Sequence, residues 1–202
     1  MGTHTAAPLP AKFDKHHPVI VALHWGTVIC IVVSVLTMFV REIVEDKFWR
    51  LALLDVHRQL GLLVMIGVAV RLGARLFVRM TDSLSGMPWP LRLAALATHC
   101  ALYGLMVGLP LLGWATTSAH NTELSFLGMV HLPAIARANG ELADELSDNH
   151  ILAAWALLGL VALHAVAALY HHFVLRDQVL LAMLSGRPAT AAPERIKTTQ
   201  PV

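Results

Sequence analysis

Residues 19–40 read VIVALHWGTVICIVVSVLTMFV, an apolar run without a charged side chain. A helix of about 20 such residues crosses a hydrocarbon core of roughly 30 Å, because all its backbone N–H and C=O groups pair inside the segment. Pro18 precedes the run, where a proline's missing N–H costs a helix nothing. The stretch reads as a membrane span. The composition agrees: 56% of the 202 residues are apolar and 14% charged, with a mean hydropathy of +0.63. Soluble domains have about 45–50% apolar and about 25% charged residues. A soluble globule, a disordered chain and a collagen-like repeat are excluded, and two cysteines are too few for a disulfide scaffold.

Three further stretches satisfy the length rule: 53–77, 91–116 and 149–175. Pro110 is expected to bend the third span or loosen its end. Arg71, Arg75 and Arg79 recur every fourth residue at the end of the second, so they share a face and can snorkel toward headgroups. The long connection 117–148 is expected to carry one or two short surface helices. Ten of the 15 Lys and Arg residues fall in 1–18, 71–92 and 176–202, and the other five, Arg41, Lys47, Arg50, Arg58 and Arg137, fall on the opposite side. By the positive-inside rule both termini are cytoplasmic. The polar segment 1–18 does not have the form of a cleaved signal. The expected architecture is all-α: an integral membrane four-helix bundle over 19–176, with cytoplasmic tails 1–18 and 177–202.

Twelve histidines are unusual for such a chain. An ionisable side chain at membrane depth costs a few kcal/mol on insertion scales, which makes it a functional candidate. His24 lies in the first span, His57 near the outer start of the second, His99 in the third, and His150, His164, His171 and His172 in the fourth. The fourteen residues from His150 to His164 turn a helix by about 1400°, roughly 40° short of four turns, and rise about 21 Å. Both rings therefore face nearly one way at different depths, and His171 falls on the same stripe. Matched by depth, His57 faces His150 and His24 faces His164.

Two imidazoles on facing helices are what a haem b iron needs in its axial positions. Two pairs about 20 Å apart do not make the compact four-ligand set that zinc prefers. No CxxCH is present for thioether attachment, and no HExxH. Gly61, Gly67, Gly104, Gly108 and Gly159 offer room for a flat macrocycle or for close helix packing. Cys30 and Cys100 read as small apolar residues, and the five tryptophans fit an interfacial belt. His99 is expected to make a structural or propionate hydrogen bond. His4, His16, His17, His120 and His131 are expected in solvent.

The pair His24-Trp25, the position of His57 and the segment from His150 through GLVALHAVAALYHHFVLRD resemble the bacterial cytochrome b561 family, over about residues 16–184. The 14-residue spacing is also similar to that of di-haem cytochrome b subunits of hydrogenases and formate dehydrogenases. The resemblance implies two haems b held by His24 with His164 and by His57 with His150, a place in the bacterial inner membrane, and electron transfer with ubiquinone as a partner. In some family members superoxide is the donor on the outer side. Here the outer loop carries Glu123, Glu141, Asp144, Glu145 and Asp148 against Arg137, which repels an anion, while Arg41, Lys47, Arg50 and Arg58 offset this near His57. His171, Arg71 and Arg75 are candidates for holding a quinone carbonyl and relaying a proton, and His171 is also an alternative to His164 as a ligand. Two other readings stay open: an anchor subunit that receives electrons from a soluble redox protein or dehydrogenase partner, and a haem-free, histidine-lined metal or proton transporter. Nothing in the sequence points to nucleic acid.

Overall fold

A computed structural model describes residues 18–77, 89–176 and 179–185. Four long helices, α1 (Pro18–Ile43), α2 (Lys47–Phe77), α3 (Trp89–Ala119) and α4 (Gly140–Phe173), are each long and apolar enough to cross a membrane. A short helix, α5 (Val179–Ser185), follows. The α1–α2 link is three residues long, and both of its sides are capped. Asp46 accepts the amide of Trp49 at 3.1 Å to start α2, and Arg50 donates to the carbonyls of Arg41 and Val44 at the end of α1. Arg50, counted in the sequence as part of an outer basic cluster, thus spends its guanidinium on a helix terminus.

The spans are longer than the expected ones. Helix α2 begins six residues before 53, and α4 begins at Gly140 rather than near 149. The expected surface helices of 117–148 do not form separately. The polar half of that segment, GELADELSDN, is the first turns of α4, started by Asn139, whose side chain accepts the Leu142 amide at 3.1 Å. The other half forms a hairpin, β1 (Leu124–Phe126) antiparallel to β2 (Val130–Leu132). Three residues join the paired Phe126 and Val130; Leu127 and Gly128 both have positive φ, as the centre of a type I′ turn requires, and the Met129 amide closes that turn on Phe126 O at 3.0 Å. Gln59 of α2 clamps this turn: its amide nitrogen donates to Ser125 O at 2.8 Å and its oxygen accepts the Leu127 amide at 2.9 Å. Helix α3 continues through Pro110 rather than ending there.

Packing follows chain order: α1 lies on α2, α2 on α3 and α3 on α4, while α1 and α4 scarcely touch among the described residues. The bundle is thus two antiparallel helical hairpins joined through α2 and α3, with a slot between α1 and α4. Val64, Val68, Leu102, Met106, Leu109 and Leu157 form the shared core. Other large apolar side chains face outward, with Ile29 60%, Leu152 69% and Val166 62% exposed. That surface is stable against hydrocarbon and not against water. The close approach of α1 and α2 is set at Gly67, where a Cβ would lie 3.5 Å from Thr27 Oγ1. Gly67→Ala is therefore expected to leave thermal unfolding in detergent nearly unchanged, whereas Gly67→Leu, which overpacks the contact, lowers stability by about 1–3 kcal/mol.

Candidate functional site

Two layers of histidine run across the bundle. The first lies toward the end that carries the hairpin. There His57 of α2 and His150 of α4 face each other with ring centres 6.0 Å apart and planes crossed at 74°. The antiparallel register of the helices produces this level, because Ser34 of α1 meets His57 and Gly113 of α3 meets His150. His57 Nδ1 is 3.0 Å from the Ser34 carbonyl and 2.9 Å from its hydroxyl. A carbonyl only accepts, so Nδ1 carries the proton and Nε2 keeps its lone pair. His150 Nδ1 is buried and has no hydrogen-bond partner among the described residues. A Cβ on Gly113 would come 3.3 Å from His150 Cε1, so the glycine leaves the ring its space.

These rings border a cavity of about 430 Å³, walled by apolar residues such as Ile31, Val35, Leu62 and Leu158 and with Gly61 in its lining. A Cβ at Gly61 would meet nothing within 4 Å. The volume lies in the range of roughly 300–1,000 Å³ usual for cofactor sites. Two imidazoles sharing one first-row metal, each bonded at about 2.0–2.1 Å, stand with ring centres roughly 6 Å apart. The hydrogen bond from His57 Nδ1 is the kind that orients a metal-ligating ring. The open space at Gly61 and the paired imidazoles fit a haem. Arg41, Glu42, Arg58, His120 and Ser147 border the same cavity, so His120 is part of this site as well as exposed.

The second layer, nearer the termini, is arranged differently. Arg71 Nη1 donates to His24 Nδ1 at 3.0 Å, and its guanidinium lies 5.9 Å from the Tyr103 ring centre. Arg71 is 8% exposed, so it turns into the bundle instead of snorkelling to headgroups. His164 has the ring of His99 at 5.3 Å, and His99 Nδ1 donates to Ala95 O at 2.6 Å. The expected structural bond of His99 is present, and it leaves Nε2 of that ring with the lone pair. His171 is half-buried beside Tyr170, with ring centres 6.5 Å apart. Trp25 carries its indole N–H to Met183 O of α5 at 2.9 Å and packs edge-on against His24. The Arg75 side chain, Arg79, His4, His16 and His17 lie outside the described residues.

Sequence reasoning missed Ser34, Gly113 and Gln59. Each is an ordinary residue whose role appears only when a second helix or the hairpin is set against it. Period and spacing along one helix carry no signal of that kind.

Comparison with known proteins identifies the family. A profile of prokaryotic cytochrome b561 matches residues 15–186. Cytochrome b561 homolog 2 of Escherichia coli (strain K12) is 27% identical over 172 residues, covering 85% of this chain and 92% of that protein. Cytochrome b561 homolog 1 of the same organism is 30% identical over 171 residues, covering 82% and 94%. A protein of Yersinia pestis described as probable superoxide oxidase CybB is 26% identical over 167 residues, covering 81% and 92%. Four membrane-crossing helices, histidines layered between them and a family match across the whole bundle lead to one assignment: the chain belongs to the prokaryotic cytochrome b561 family, a multi-pass bacterial membrane protein of electron transport in which b-type haem is implied.

Proposed function

We propose that this chain is a di-haem b-type cytochrome that moves electrons between a donor at the hairpin end and ubiquinone in the membrane. The observation that carries the reading is the His57–His150 pair, 6.0 Å apart beside an apolar cavity. Haem b bound there supplies a one-electron relay tuned by its surroundings. His57 and His150 would hold that haem, with Nδ1 of His57 donating to Ser34 O so that its Nε2 keeps the lone pair for the metal. Leu62, Val64, Met106 and Leu157 give the cavity an apolar wall.

At the other layer His24 and His164 are the proposed ligands of a second haem. Ligation through Nε2 of His24 requires the proton on Nδ1, so Arg71 must release that nitrogen. His99 is the competing partner for His164, since its ring is adjacent and its Nε2 bears the lone pair. A quinone carbonyl at the termini end needs a proton donor and a cation to offset negative charge. His171 suits the first role and Arg71 the second, with Arg75 on the same helix one turn further. The proposed orientation, with both termini in the cytoplasm of the inner-membrane protein, rests on the excess of Lys and Arg at that end. It puts His57 and His150 on the outer side. Superoxide as the donor is supported by the Yersinia relative's description and by Arg58 at the outer cavity, where Arg41 is paired with Glu42, since an unbalanced cation attracts a small anion.

The purified protein is expected to show a sharp b-type α band on dithionite reduction and two haems per chain in a pyridine haemochrome assay. His57→Ala and His150→Ala should each lose the same haem, and His24→Ala and His164→Ala the other. Loss of the second haem in His99→Ala with retention in His24→Ala would replace His24 by His99. A folded but colourless protein refutes the reading. His171→Ala should keep both haems and slow quinone reduction about 10–100-fold, whereas loss of a haem in that variant makes His171 a ligand. In stopped flow, Arg58→Gln should slow haem reduction by superoxide several-fold at low salt, and the difference should shrink at about 1 M salt, where the Debye length is about 3 Å. An unreactive wild-type protein removes superoxide as donor.

A further inference from the structure

The most specific chemistry outside the proposed ligands is the set of groups that share one carbonyl on α1. Ser34 O is 3.0 Å from His57 Nδ1, and it also accepts the hydroxyl of Thr37 at 2.7 Å. In a regular α-helix it accepts the amide of residue 38 too. The Ser34 hydroxyl lies 2.9 Å from the same His57 nitrogen. Ser34 and Thr37 are both buried, so bulk water does not compete. A carbonyl oxygen has two lone-pair directions. Three donors must divide them, and every share taken by Thr37 weakens the acceptor seen by His57.

We propose that Ser34 and Thr37 are positioning residues that set the reduction potential of the hairpin-end haem with opposite signs, acting through the Nδ1–H of His57. The proposal rests on the di-haem reading above. A ring that gives its N–H to a strong acceptor becomes a more electron-donating ligand, which favours the ferric state and lowers the potential. The Ser34 hydroxyl adds an acceptor beside the carbonyl. The Thr37 hydroxyl withdraws acceptor strength from it. Both substitutions needed are small: Ser34→Ala removes one hydroxyl, and Thr37→Val replaces a hydroxyl by a methyl of similar size.

The test is a redox titration of the haem-loaded protein followed by its visible spectrum, with the ferric EPR signal of each haem as a second readout. Ser34→Ala should raise the midpoint of the haem lost in His57→Ala, and Thr37→Val should lower it. The expected size is roughly a tenfold change in the ferric-to-ferrous ratio at fixed potential, which for a one-electron couple is about 59 mV. The other haem should not move, and Ser34→Thr, which keeps a hydroxyl, should restore the wild-type midpoint. Loosened packing would shift both variants the same way. Shifts of one sign, or midpoints that stay at the wild-type value in both variants, overturn this proposal alone. A wild-type protein without a b-type spectrum overturns the di-haem reading and this proposal with it.

Discussion

A polar group carried into hydrocarbon must find its partner inside the protein, and that requirement organises this bundle. Backbone groups meet it by forming helices of 26 to 34 residues. Side chains meet it by reaching across helix pairs or back along their own helix. His57 reaches Ser34, Arg71 reaches His24, and His99 reaches Ala95. Thr116, Thr117 and Ser118 return their hydroxyls to carbonyls one turn back, at the end of α3. These bonds fix the tautomers of three histidine rings and hence which ring nitrogen keeps a lone pair.

Satisfaction of polar groups inside each hairpin has a further consequence for the slot between α1 and α4. Contacts close each helical pair internally, and among the described residues α1 and α4 make few contacts with each other. Small residues keep the space clear: Gly61 and Gly113 line the cavity, and Gly113 stands directly against His150. A flat group fits between helices only if its edges meet little side-chain bulk. The same geometry that leaves the slot also turns His57 and His150 toward one another from α2 and α4. Arg71 shows the complementary case, a cation drawn inward because a ring nitrogen and an aromatic face offer it better partners than distant headgroups.

Helix existence was legible because the lipid rule acts on single segments. Helix ends were less so. The early start of α4 depends on Asn139 capping a polar stretch that has no membrane signature, and the start of α2 depends on Asp46. The hairpin was hidden because its turn is Leu127-Gly128 rather than Asn-Gly. A leucine at φ 52° is unusual there, and its amide is held by Gln59, a residue 68 positions away. In the second layer, depth matching pairs His24 with His164, and it did not show that Arg71 lies on His24 or that His99 lies on His164. Depth gives the level of a residue and says nothing about which neighbour at that level wins its hydrogen bond.

By itself the sequence determined that the chain spans a membrane four times and carries histidines at two depths on its last span, because length, apolarity and a 3.6-residue period are properties of one segment at a time. The tertiary structure decided which rings meet, which partner takes Nδ1 of His24 and His57, and where space remains between the helices. Those depend on the register of one helix against another, which is settled by many small contacts such as Gly67 on Thr27 and Ser34 on His57. No single segment contains that information.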